Sequence, residues 1–199
     1  MAYLLLLPLL FALARLKTGR YVFSALTTVS AGLIALTNLT STASVLIACA
    51  LFVSALGDYF MAHRLGDDRT YVFGIGGFFV GHALLIASAA TRLTFSPMAL
   101  VVGALLCGLY AAFLKLHVAS GLPQALKLPA AAYTLISVAG FTLSLMTGDV
   151  IYACALALLL FSDTMIAEAD FAGNRRADRL VLPTYYLCHI LVALSAILM

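Results

Sequence analysis

The sequence has too little charge for a water-soluble protein of its length. Asp, Glu, Lys and Arg make up only 10% of its 199 residues, whereas 64% of the residues are hydrophobic. The mean hydropathy is +1.12. A soluble domain needs more polar surface than this composition supplies, so the bilayer is the expected solvent. We expect no separate soluble domain within the chain.

Tryptophan is absent, and the cysteines have no paired spacing. Any interfacial aromatic belt must therefore consist of Tyr and Phe. The four cysteines lie inside apolar segments without a C-x-x-C pair, which favours small core residues over disulfides or a metal site. They are Cys49, Cys107, Cys154 and Cys188.

Apolar runs of about twenty residues predict eight transmembrane helices. The predicted spans are 2–14, 20–37, 43–62, 72–90, 97–114, 128–146, 149–169 and 180–198. Ten of the eleven Lys and Arg residues fall in the loops after the odd-numbered helices, and only Arg92 lies on the opposite side. The positive-inside rule makes those loops cytoplasmic and places both termini on the non-cytoplasmic side.

The expected fold is therefore an all-α membrane protein with one eight-helix transmembrane domain over residues 1–199. The expected location is a bacterial inner membrane, crossed several times by the chain.

Ionisable groups inside the predicted spans are the main candidates for function. A charge near the bilayer centre costs roughly 2.5–3.5 kcal/mol on insertion scales, so such residues are functional by default. Asp58 and Asp163 lie close to the cytoplasmic ends of the third and seventh helices, and His82 lies deeper in the fourth. The same half of the bundle should contain Tyr133, Ser137, Tyr185, Tyr186 and His189. We expect these groups to form one site in the cytoplasmic half.

A short pattern recurs in the third and seventh helices. Each of GDYFMA and SDTMIA has a small residue before Asp and an Ala four residues after it. His82 and His189 follow these two aspartates by 24 and 26 residues. This predicts two parallel four-helix repeats, 1–92 and 93–199, related by a pseudo-two-fold axis along the membrane normal.

Five segments together resemble the YhhN-like family of integral membrane lysoplasmalogenases. They are SALGDYFMA (54–62), GIGGFFVGHALLIAS (74–88), YTLIS (133–137), LLLFSDTMIAEADF (158–171) and YYLCH (185–189). The resemblance implies an eight-helix fold and hydrolysis of the vinyl ether bond of lysoplasmalogens. The products would be a fatty aldehyde and a glycerophosphocholine or glycerophosphoethanolamine. By motif match, it implies roles for Gly57, Asp58, His82, Tyr133, Ser162, Asp163 and Tyr186. The last motif departs from the family, which has Gln at the position of His189.

Vinyl ether hydrolysis requires an acid that protonates an alkene carbon and a base that directs water to the oxocarbenium ion. Two carboxyl groups in different surroundings can supply both, as in glycosidases. We expect Asp58 and Asp163 to be this pair, in either order, with His82 orienting them or relaying protons. The expected substrate contacts are Tyr133, Ser137, Tyr186, His189, Ser162 and Glu168.

The expected partners are a lysophospholipid substrate and the surrounding membrane lipids. No nucleic acid, metal or cofactor is expected to take part.

Two other functions are compatible with the same residues. The two aspartates together with His82 and His189 could bind one Zn²⁺ in a membrane hydrolase, although no H-x-x-x-H or H-E-x-x-H pair is present. Buried Asp and His could instead relay protons in a transporter. Against this, no helix is clearly broken by Pro at the midplane, and the polar groups stop halfway across.

Overall fold

The computed structural model describes residues 2–63 and 68–199, and eight α-helices follow one another through these ranges. They are α1 (Leu6–Thr18), α2 (Val22–Ala35), α3 (Thr42–Ala62), α4 (Asp68–Ala90), α5 (Pro97–Phe113), α6 (Gln124–Ser144), α7 (Val150–Asp170) and α8 (Arg175–Leu198). Short 3₁₀ turns cover Ala2–Leu5 and Leu36–Asn38, and a π-helical turn covers Leu114–Val118. The predicted number and order of helices are confirmed. Arg64, one of the basic loop residues, lies outside the described ranges.

Three helices begin about one turn before their predicted spans. These helices, α4, α6 and α8, have polar first turns that extend beyond the apolar run. In α8 the Asn174 side chain caps the helix by accepting a hydrogen bond from the Arg176 N–H, at 3.2 Å. Hydropathy detects the part of a helix that lipid surrounds, so it misses such a turn.

Six helices of the described chain are long and apolar enough to cross a membrane. They are α3, α4, α6, α7, α8, and α5 together with its π-helical turn. The protein is therefore an integral membrane protein. Helices α1 and α2 are shorter, with 13 and 14 residues, so their crossing stays a prediction, as does the orientation of the termini.

Helix α8 lies in the middle of the bundle, and α4 lies between α3 and α6. Helix α4 packs against α3 and α6, and α8 packs against α1, α2, α3 and α7. Helices α3 and α4 approach closely because glycine faces glycine: a Cβ atom added at Gly77 would lie 3.0 Å from the Gly57 Cα. This contact fixes Phe78 and His82, on α4, beside α3.

The prediction that all four cysteines are core residues is wrong for three of them. Cys188 is buried, but Cys49, Cys107 and Cys154 are exposed on the bundle surface, and all four are free thiols. An apolar position in a membrane helix can face lipid as well as protein, so hydropathy alone cannot tell the two apart.

An ion pair holds the helix ends together at the end of the bundle opposite the basic loops. The Asp149 carboxylate caps α7 and accepts hydrogen bonds from Arg92 at 2.9 Å and Ser195 at 2.6 Å. It also accepts the Tyr152 N–H at 2.9 Å. Burial alone would raise the pKa of Asp149, but these hydrogen bonds and the Arg92 charge outweigh it and lower the pKa below its ordinary value.

We expect Asp149→Ala to lower the melting temperature more than Asp149→Asn, because Asn keeps a capping oxygen and Ala loses about 1 kcal/mol of capping. Since the folded pKa is lowered, the charge stabilises the fold above the unfolded pKa of 3.8, and this contribution disappears as the pH falls through the folded pKa. Thermal unfolding of detergent-solubilised protein should therefore show a wild-type advantage over Asp149→Asn at neutral pH that shrinks in acid. An advantage independent of pH would contradict this account of the ion pair.

Candidate active site

A cavity of about 70 Å³ lies among α4, α5, α6 and α7, near the helix ends that join the basic loops. Its wall is mainly apolar and aromatic. The rings are those of Tyr71, Phe78, Tyr110, Phe113, Tyr133 and Phe171. The few polar groups in the wall include Ser137, Asp163 and Thr164. An apolar cavity with a small polar cluster is the usual form of a small-molecule site.

Asp163 is the centre of the polar cluster. Its Oδ1 accepts a hydrogen bond from the Tyr133 hydroxyl at 2.9 Å, and its Oδ2 accepts one from the Ser137 hydroxyl at 3.0 Å. Tyr133 and Ser137 are four residues apart on α6, so they share one face of that helix. The Asp163 side chain is only 11% exposed, and it lies in the wall of the cavity.

His82 contacts the same carboxyl oxygen. The distance from His82 Nε2 to Asp163 Oδ2 is 3.4 Å, and the Ser137 hydroxyl lies 3.3 Å from the same nitrogen. The other ring nitrogen, Nδ1, lies 2.9 Å from the carbonyl oxygen of Phe78. A carbonyl oxygen can only accept, so Nδ1 must carry a hydrogen.

This bond fixes the tautomer of neutral His82: Nδ1 carries the hydrogen, and Nε2 has a lone pair that faces the Asp163 carboxyl oxygen. A single proton held by this pair has two positions. It lies on Asp163 and faces the Nε2 lone pair, or it lies on Nε2 and faces the carboxylate. Both positions are next to the cavity.

Asp58 lies elsewhere. Its Oδ2 accepts a hydrogen bond from Thr28 of α2 at 2.7 Å, and its carboxyl group interacts electrostatically with the Tyr185 hydroxyl. It does not line the cavity that contains Asp163. In the described chain α3 and α7 do not pack against each other, because α4 and α8 lie between them. The expectation that both carboxyl groups share one pocket is therefore wrong.

The polar contacts of the two carboxyl groups nevertheless repeat along the chain. Thr28 donates to Asp58, and Tyr133 donates to Asp163. The two donors are 105 residues apart in the chain, and so are the two acceptors. His189 Nδ1 donates to the Tyr185 carbonyl at 2.8 Å, as His82 Nδ1 donates to that of Phe78. The constant spacing is what the two predicted parallel repeats require, and the repeats stay a prediction.

Three other residues that were predicted to contact the substrate do not line this cavity and are hydrogen-bonded to other parts of the protein. The buried Ser162 hydroxyl donates to the Val181 carbonyl at 3.1 Å and joins α7 to α8. The Tyr186 hydroxyl lies 2.6 Å from that of Ser24. Glu168 accepts a hydrogen bond from the Asn174 side chain at 3.1 Å, in the α7–α8 turn. His189 lines a second, smaller cavity beside Tyr185.

The aromatic wall was not predicted from the sequence. Tyr110 and Phe113 are three residues apart at the end of α5, and Tyr110 is hydrogen-bonded to Thr164 of α7. The π-helical turn that follows buries Val118 in the same wall. At the far side, the Tyr71 hydroxyl donates to Asp170 at 2.9 Å. Aromatic residues are common throughout the chain, so only the helix packing distinguishes those that line the cavity.

The four residues considered for zinc do not converge. Within residues 2–63 and 68–199, no group of three or more His, Cys, Asp or Glu side chains is arranged to hold a metal ion. His82 and Asp163 are close, whereas Asp58 contacts Thr28 and Tyr185 instead. His189 lines a cavity that includes His82 but neither aspartate.

The model of the YhhN family matches residues 19–196. The chain therefore belongs to the YhhN family, as the five sequence segments indicated. No curated protein and no solved structure matches it.

Proposed function

We propose that this YhhN-family protein is a lysoplasmalogenase, in which Asp163 is the group that protonates the vinyl ether. The observation that carries the proposal is the Asp163–His82 contact of 3.4 Å at the wall of an aromatic cavity. It supplies a transferable proton in surroundings that suit a lipid. His82 keeps the proton close to Asp163 but does not need to touch the substrate.

The first step is proton transfer from the Asp163 carboxyl group to the alkene carbon remote from the ether oxygen. The electron pair of the double bond forms the new C–H bond, and the ether oxygen shares its lone pair to give an oxocarbenium ion. Asp163 becomes a carboxylate next to this cation and stabilises it electrostatically. The hydrogen bonds from Tyr133 and Ser137 hold the carboxylate in place through this change.

The second step is addition of water to the oxocarbenium carbon. The Asp163 carboxylate takes a proton from the attacking water, which restores the acid and gives a hemiacetal. The hemiacetal then loses its hydroxyl proton, and the glycerol oxygen leaves as an alcohol with a proton. One carboxyl group thus acts as acid and then as base, as the acid/base carboxyl group of a retaining glycosidase does.

The position of the cavity suits a lipid with one chain. The vinyl ether of a lysoplasmalogen lies just below the headgroup layer. The cavity extends from the helix ends, where Tyr71 and Phe171 lie, inward to Asp163. The positive-inside rule assigns this end to the cytoplasm. The headgroup would then remain near the basic loops, with the reactive bond at the level of Asp163.

The test is release of fatty aldehyde from lysoplasmalogen by the purified protein in detergent or vesicles. A lysophospholipid with an ester in place of the vinyl ether serves as the matched control, because it has no vinyl ether carbon to protonate. Aldehyde release from the vinyl ether with no fatty acid release from the ester supports the proposal. Turnover of the ester alone would contradict the proposal and indicate an esterase instead.

A further inference from the structure

A second cavity, of about 10 Å³, lies behind the active site among α3, α4, α7 and α8. Polar groups reach it from three helices: Ser54 of α3, His82 of α4, and Tyr185 with His189 of α8. The rest of its wall is apolar and includes Leu85, Leu159 and Val192. A volume of about 10–15 Å³ by this measure is the space that one water molecule requires.

The Tyr185 hydroxyl is the strongest sign of a ligand in this cavity. The side chain is 6% exposed, and its hydroxyl makes no hydrogen bond of normal geometry with the residues that the structure describes. A buried hydroxyl without a partner costs about 1–3 kcal/mol, so such groups are usually satisfied by an ordered water molecule. The Asp58 carboxyl group lies close enough to interact with this hydroxyl, but not in the geometry of a normal hydrogen bond.

His189 supplies the complementary acceptor. Its Nδ1 donates to the Tyr185 carbonyl at 2.8 Å, so the Nε2 of the neutral ring has a lone pair. In the other half of the molecule the corresponding nitrogen of His82 meets Asp163. His189 is 4% exposed and lies in the wall of the cavity, with its ring centre 4.2 Å from that of Tyr185.

We propose that this cavity binds one structural water molecule, which accepts a hydrogen bond from Tyr185 and donates one to His189. The water joins the Asp58 side of the bundle to the His82–Asp163 side, because Tyr185 contacts Asp58 and His82 lies in the same cavity wall. Tyr185 and His189 are then positioning residues for His82. This role rests on the proposed function, whereas the water site itself does not.

The experiment compares the wild type with two variants that remove the water in different ways. Tyr185→Phe removes the donor without changing the shape of the ring, and Val192→Ile fills the space with one methylene group. Tyr152→Phe is the matched control, because the Tyr152 hydroxyl is also buried, donates to the Leu85 carbonyl at 2.7 Å, and does not itself line either cavity. The measurements are a density map that resolves ordered water, and kcat and KM for lysoplasmalogen.

We expect water density between Tyr185 and His189 in the wild type and none in Val192→Ile. Both variants should lose about tenfold in kcat with KM unchanged, the effect of losing one hydrogen bond, and the double variant should lose no more. The control should keep its kcat. A dry cavity in the wild type, or full kcat in a water-free Val192→Ile, would overturn the proposal. Absence of aldehyde release by the wild type would instead reject the proposed function, and the density map would still decide the water site.

Discussion

Asp163→Asn is expected to abolish aldehyde release from lysoplasmalogen and to leave the fold intact. The amide has no acidic proton for the alkene carbon and no charge for the oxocarbenium ion. General acid–base catalysis contributes about 10²–10⁴ in rate, so kcat should fall by at least that range. The amide oxygen can still accept the hydrogen bond of Tyr133, and the amide nitrogen at the Oδ2 position can donate to the Ser137 hydroxyl oxygen, which should preserve the packing of α6 on α7.

The control is Asp178→Asn, which removes an exposed carboxylate from the first turn of α8. Aldehyde release is measured by coupled reduction with an alcohol dehydrogenase, and folding by thermal unfolding in the same detergent. Asp178→Asn should match the wild type in both measurements. Normal turnover by Asp163→Asn would remove this residue from the mechanism, and a collapse of the melting temperature would show that its role is structural.

The sequence predicts how deep each site residue lies along the membrane normal, but not which helices are neighbours in the membrane plane. Hydropathy and the basic loops gave the depth of each residue, and helical periodicity placed Tyr133 and Ser137 on one face. That was enough to bring Asp163, His82, Tyr133 and Ser137 together. These four residues meet in the structure as expected.

The lateral order of the helices has no comparable signal in a single sequence. Asp58 has a suitable depth and neighbouring motif, but α4 and α8 separate its helix from α7. Ser162 precedes Asp163 by one residue, and a rotation of about 100° turns it onto α8 instead of the cavity. The aromatic wall depends on which face α5 presents to α6 and α7, and α5 is apolar on all sides.

The two carboxyl groups have similar surroundings. Each accepts a hydrogen bond from a hydroxyl group 30 residues earlier in the chain, and the Nδ1 atoms of His82 and His189 are bonded within their own helices. Among the described residues, Asp163 combines contact with a histidine, His82 of the first predicted repeat, with a position in the wall of the aromatic cavity, whereas Asp58 does not line that cavity. This difference is why the chemistry is assigned to Asp163 and a supporting role to the surroundings of Asp58.

The second large effect is expected for His82→Gln, which should lower kcat by roughly 10², the lower end of the range for acid–base catalysis. Gln cannot share a proton with Asp163 as imidazole does, so the carboxyl group would lose the partner that keeps its proton at the cavity. His63→Gln is the matched control, because His63 Nδ1 is bonded to the Tyr59 carbonyl at 2.7 Å in the same i to i−4 pattern, on an exposed ring. That variant should keep its full kcat.

The double variant distinguishes a catalytic pair from two independent contributions. If His82 acts only through the proton of Asp163, then His82→Gln should cost nothing more once Asp163→Asn has been made, because residues that act as a unit are not additive. Rates measured for both single variants and the double variant give the coupling directly. Additive losses would mean that His82 contacts the substrate or the water itself, and the mechanism would then need a second group at the reacting bond.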